Sequence, residues 1–148
     1  MTEEQIAKRK WLNKVFYAEK KLTALEDKYK RDKARAERVT QMYGGNDKGK
    51  SDSHENGTQK LMDTLMDSRE EYDKYAEEFA VARREVESAI ETLNDDELEA
   101  IFIHRHLNYE NVDKIAEIMH YSTRTVKRKY LEGLEKMSPN VLECHLKM

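Results

Sequence analysis

Asn111-Val112-Asp113-Lys114-Ile115-Ala116-Glu117-Ile118-Met119-His120-Tyr121-Ser122-Thr123-Arg124-Thr125-Val126-Lys127-Arg128-Lys129-Tyr130-Leu131 carries two helix starts and one tight turn. Asn111 and Ser122 are short polar residues of the kind that cap helices, because their side-chain oxygen accepts from a first-turn backbone N–H. After Asn111, the apolar residues Val112, Ile115, Ala116 and Met119 recur at helical spacing. After Ser122, Val126, Tyr130, Leu131 and Leu134 do the same. His120-Tyr121 is left between them as the turn. Ala116 is small enough for the two helices to cross closely, and Val126 is apolar and placed to pack onto it.

Reading outward toward the N-terminus, Asn94-Asp95-Asp96-Glu97 is a third helix start. Asn94 can cap, Glu97 follows at capping-box spacing, and the acids suit the positive end of the helix. That helix carries Leu98, Ile101 and Phe102 and extends through Arg105 to Leu107, with Asn108-Tyr109-Glu110 as the next turn. A three-helix helix-turn-helix module is therefore expected over 94–137, followed by a tail at 138–148.

The last of these helices has a basic side. No acid occurs from Ser122 to Leu131, in a chain whose net charge is -3. Such local positive charge is what DNA binding requires. Ser122, Thr123, Arg124, Thr125, Lys127, Arg128 and Lys129 are the candidate DNA-contacting residues. Arg and Lys reach guanine edges or phosphates, and hydroxyls reach either. The competing explanation is a solvated charged face on an ordinary helix. The spacing and the caps favour the DNA reading.

From Asn94 to Met137 the chain resembles region 4 of sigma-70-type factors. The resemblance rests on Leu98-Glu99-Ala100-Ile101-Phe102, Arg105-His106-Leu107, Lys114-Ile115-Ala116-Glu117-Ile118-Met119 and Ser122-Thr123-Arg124-Thr125-Val126-Lys127-Arg128. Lys114 stands where that pattern has an acid. His120 stands where it has a turn glycine, a position that asks for left-handed backbone. The whole layout also resembles the ArpU-type late-gene transcriptional regulators of phages of Gram-positive bacteria. That resemblance implies a sequence-specific, phage-encoded regulator of late genes that binds double-stranded DNA and contacts RNA polymerase in the bacterial cytoplasm. Two alternatives remain open: a DNA-packaging protein like the small terminase subunits, and an adaptor that binds only protein partners.

Two long segments precede the module. From Thr2 to Met42 there is no Pro or Gly, and Trp11, Val15, Ala18, Leu22, Leu25, Tyr29, Ala36 and Val39 follow a heptad seam that continues to Tyr43. Asp32 is the polar exception. From Thr58 to Leu93 a second seam comprises Leu61, Leu65, Tyr72, Tyr75, Phe79, Ala82, Val86, Ala89 and Leu93, with Ser68 as its exception. The first segment is basic and the second acidic, which favours pairing between them. The expected fold is therefore all-α: a long antiparallel helical hairpin over 1–93, with its loop at 43–58, then the helix-turn-helix module. Joining Tyr43 to Leu61 and Trp11 to Leu93 would set Asp32 near Tyr72 and Ala36 near Ser68. Met62, Met66, Ile90, Ile6, Leu12 and Phe16 lie off the seams. They are expected to pair two hairpins as a homodimer or to receive the C-terminal module.

Other chemistry is weakly supported. Gly44 to Ser51 matches the letters of a phosphate-binding loop, but no strand precedes it and no α/β pattern exists, so it reads as linker. His104 and His106 point to opposite sides of a helix, Cys144-His145 has no partner pair, and no Cys/His set has zinc spacing. No enzyme, metal or cofactor is expected. With a single cysteine no internal disulfide can form, and a reducing cytosol fits. No apolar run is long enough to span a membrane.

Overall fold

The computed structural model describes residues 1–43 and 52–137, and these are all-α. In chain order the helices are α1 (Glu3–Leu12), α2 (Lys14–Tyr43), α3 (Asp52–Glu91), α4 (Asp96–Phe102), α5 (Val112–Met119) and α6 (Thr123–Lys136). A π-helical turn, Ile103–Leu107, follows α4 directly. The phosphate-loop lookalike at 44–51 and the tail at 138–148 lie outside the described residues.

The first long segment is bent. Asn13 separates α1 from α2, yet its N–H still donates to the Arg9 carbonyl at 3.0 Å. Asn is a poor residue for a helix interior because its amide competes for backbone partners. The bend accompanies a change in burial: Trp11, Leu12 and Val15 are all buried, a wider arc than one seam provides. α1 begins with a reciprocal capping box. Thr2 Oγ1 accepts from the Gln5 N–H at 3.2 Å, and Gln5 Oε1 accepts from the Thr2 N–H at 2.9 Å.

α3 starts at Asp52, six residues before the expected Thr58, so the second half of the expected loop is helical. Gly57 then costs only about 1 kcal/mol inside a helix that is already propagating.

The chain divides into two compact units. The second unit, Lys20–Glu78, pairs one stretch of α2 with one of α3. The pairing is antiparallel. Lys21 Nζ sits 4.4 Å from the Tyr75 ring centroid, Lys28 pairs with Glu71 at 3.1 Å, and the Ser68 hydroxyl donates to Asp32. Ser68 therefore meets position 32 and not position 36, one helical turn from the expected register. The reason is polar satisfaction. Ser68 is buried, and a buried hydroxyl without a partner is costly, so the two polar seam positions find each other.

The first unit comprises Met1–Glu19 together with Phe79 onward. Its core joins Leu12 and Val15 of the first segment, Val86, Ala89, Ile90 and Leu93 of α3, and Ile101, Phe102, Ile115, Val126 and Leu134 of the C-terminal helices. By contact the natural division thus falls inside α2 and α3, not at the 93/94 boundary read from sequence. Leu12 and Ile90, two of the off-seam apolar residues, are used up in this core. Lys14 pairs with Glu85 across it, and its ammonium lies 4.1 Å from the Trp11 ring centroid.

Candidate nucleic-acid interface

The capping of α4 differs from expectation. Asp95, not Asn94, is the cap: its Oδ1 accepts from the N–H groups of Glu97 at 3.0 Å and Leu98 at 3.2 Å. Asn94 adopts left-handed backbone at φ 51° and forms the corner before it. Either residue type can cap, so sequence alone did not separate them. Glu97 is released from the capping box and pairs with Lys129 of α6 at 2.5 Å. Lys129 first, and then Tyr121, hold the Glu97 carboxyl below its ordinary range.

α5 is capped by Asn111, whose side chain accepts from the Lys114 N–H at 2.8 Å. It ends at His120, which takes the left-handed conformation at φ 60°, ψ 41°. Its N–H donates to the Ala116 carbonyl, as does that of Tyr121 at 3.0 Å. Ser122 caps α6: its Oγ accepts from the Thr125 N–H at 3.2 Å and lies 2.9 Å from Thr125 Oγ1. The hydroxyls of Ser122 and Thr125 are thus engaged with each other. Ala116 and Val126 are both buried in the core.

α6 is held along one side. Val126, Gly133 and Leu134 are buried, and Gly133 lies against Phe102 of α4. A Cβ there would lie 2.3 Å from Phe102 Cε2, so only glycine permits the approach. Phe102 stacks on Tyr130 with ring centroids 4.8 Å apart, and the Tyr130 hydroxyl lies 2.8 Å from His106 Nε2. His106 is buried, and its pKa falls to about 3, first through burial and then through the charges of Arg105 and Arg9. Burial likewise raises the Tyr130 phenol above its ordinary value.

The C-terminal end of α6 is gripped by α1. The Lys8 ammonium is almost wholly buried and donates to the carbonyls of Leu134 and Met137, each at 2.9 Å, while pairing with Glu4 at 3.3 Å. A cation at a helix C-terminus satisfies carbonyls that have no partner within the helix. Gln5 Nε2 adds donors to the Leu131 carbonyl and to Glu135. In the sequence Lys8 is one cation of a basic segment, and nothing near it announces these distant acceptors.

Among the seven candidate residues, Thr123, Arg124, Lys127 and Arg128 are exposed on the first two turns of α6. Arg124 and Arg128 share one face at helical spacing. Ser122 and Thr125 form the cap, and Lys129 is turned to Glu97. No carboxylate among the described residues pairs with Arg124, Lys127 or Arg128. No group of three or more potential metal ligands occurs among the described residues, and no helix there is long and apolar enough to cross a membrane. Compared with family models, curated proteins and solved structures, the chain matches none.

Proposed function

We propose that this chain is a double-stranded-DNA-binding transcriptional regulator that reads its target with the first two turns of α6. The carrying observation is the division of labour on that helix. One side is locked by Gly133, Val126 and the Lys8 clamp, while Arg124, Lys127 and Arg128 stand exposed without carboxylate partners among the described residues. A rigid helix with a free basic face and a capped N-terminus suits insertion into a major groove, with Arg reading guanine edges and Lys holding phosphate. Sequence-specific control of phage late genes, in the manner of the sigma-region-4-like modules it resembles, is the reading we adopt. Exposed Met62 and Met66, at 43% and 59%, support a homodimer formed through the second unit. RNA polymerase is a further proposed partner.

The test is a footprint of the chain on DNA of its own genomic neighbourhood, followed by the double substitution Arg124→Ala, Arg128→Ala. Two lost base contacts should weaken target binding by roughly 2–6 kcal/mol, with the helical circular dichroism unchanged. Binding that survives the substitution, or shows no salt dependence, sinks the reading. A protein that assembles as a large ring on packaging-site DNA would favour the packaging alternative.

A further inference from the structure

A cavity of about 280 Å³ opens behind the exposed face of α6. Its apolar lining is the half-buried Val112, Tyr130 and Leu131, together with Ile101, Ile115 and Val126, which are at 1% exposure or less. Its walls carry Arg9 from α1, Arg105 from the π-helical turn and Lys127 from α6. No acid lines it, and Glu4 pairs with Lys8, Glu97 with Lys129 and Glu110 with His104. No carboxylate among the described residues pairs with any of the three cations.

The three cationic residues line one apolar space, and none of them has a carboxylate partner among the described residues. Two of them already act on a neighbour, since the guanidiniums of Arg105 and Arg9 both add to the burial that keeps His106 neutral. The π-helical turn accounts for the geometry. Its extra residue re-aims successive side chains, so that Arg105 lines the cavity while His106 enters the core. An inorganic anion would leave the apolar lining uncovered. A neutral hydrocarbon would leave the cations uncompensated. Both needs are met by one molecule with an apolar body and a single anionic head.

We infer that this cavity binds a small amphipathic carboxylate, such as a medium-chain fatty acid, with its chain on Val112, Tyr130 and Leu131 and its head between Arg9, Arg105 and Lys127. Lys127 belongs both to the cavity and to the exposed basic side of α6. A bound carboxylate therefore takes up a charge otherwise available to phosphate and weakens DNA binding. This coupling rests on the DNA-binding reading, whereas the site itself does not.

Octanoate and octan-1-ol, titrated into the full chain without DNA, separate the two. Saturable octanoate binding at least about tenfold tighter than that of octan-1-ol is expected from one charge-assisted contact. Backbone amide shifts at Val112, Tyr130 and Leu131 should accompany it. The variant Arg9→Gln, Arg105→Gln should lose the preference while keeping its helical circular dichroism. Equal binding of acid and alcohol, no saturable binding of octanoate, or shifts confined to the second unit would each overturn the site. Octanoate binding by a chain that fails to bind DNA would sink the regulator reading and leave the site standing. DNA affinity unchanged by saturating octanoate would remove the coupling.

Discussion

Leu12 in the first unit is fully buried, while Met66 in the second is 59% exposed, although both lie off the heptad seams. The contrast extends to the polar groups. In the first unit a buried ammonium, Lys8, and a buried imidazole, His106, each have defined partners within a many-sided core. In the second, Leu25 and Ala36 are the buried apolar residues among those described, and Ser68, paired with Asp32, is the buried polar one. One unit is held by interdigitated packing of several helices, the other by a single seam with charges along its flanks. Packing fixes a side chain in one arrangement, whereas a thin seam leaves most of each helix in water and tolerates change. A helix that must present side chains at fixed positions belongs in the first kind of unit, and α6 is there.

The largest expected effect tests this difference directly. Leu12→Ala should cost about 2–5 kcal/mol in urea unfolding, as deletion of a fully buried leucine does. Leu25→Ala, at a seam position that is 8% exposed and lies outside the main core, should fall at or below the low end of that range. Equal costs would show that the second unit packs as tightly as the first.

A smaller effect comes from pH. His106 stays neutral in the folded chain down to about pH 3, while an unfolded histidine protonates near 6.5. Between those values the unfolded state binds a proton that the folded state refuses. Stability is therefore lost as pH falls from 6.5 toward 3, and His106 contributes no pH dependence above that window. The loss should reach about 2 kcal/mol by pH 5. His106→Gln should flatten this part of the profile for the first unit. An unchanged acid limb in that variant would mean that carboxylates, not His106, set the response.

Much of this contrast was legible in the sequence, and the remainder fails for one recurring physical cause. The seams were read from spacing alone, and Trp11, Val15, Leu25, Ala36, Val86 and Ala89 are buried as that spacing requires. The caps Asn111 and Ser122 and the left-handed His120 were equally visible, because each is a local backbone requirement with a short menu of residues. What escaped were pairings between residues remote in sequence. Lys8 with the end of α6, Lys129 with Glu97 and Ser68 with Asp32 all needed a partner's position, which periodicity does not supply. The last of these was within reach: two polar interruptions in facing seams satisfy each other at least cost, and that rule selects the register. Lys129, counted among the DNA-contacting candidates, shows the limit of reading charge by helix face, since an acid from another helix engages it.

The smallest expected effect makes the same point with ion pairs of identical chemistry. Lys14–Glu85 lies in the first unit with side chains 21% and 32% exposed, and Lys28–Glu71 in the second with 55% and 50%. Exposed pairs gain little, because water and salt screen the attraction while two long side chains lose freedom. A double-mutant cycle to Ala should therefore give Lys28–Glu71 a coupling of about 0.2–1 kcal/mol that fades with added salt. Lys14–Glu85 should exceed it and resist salt, since its ammonium also lies against the Trp11 ring, from which water is partly excluded. If the two couplings and their salt dependences coincide, the flanks of the second unit are as well shielded as those of the first.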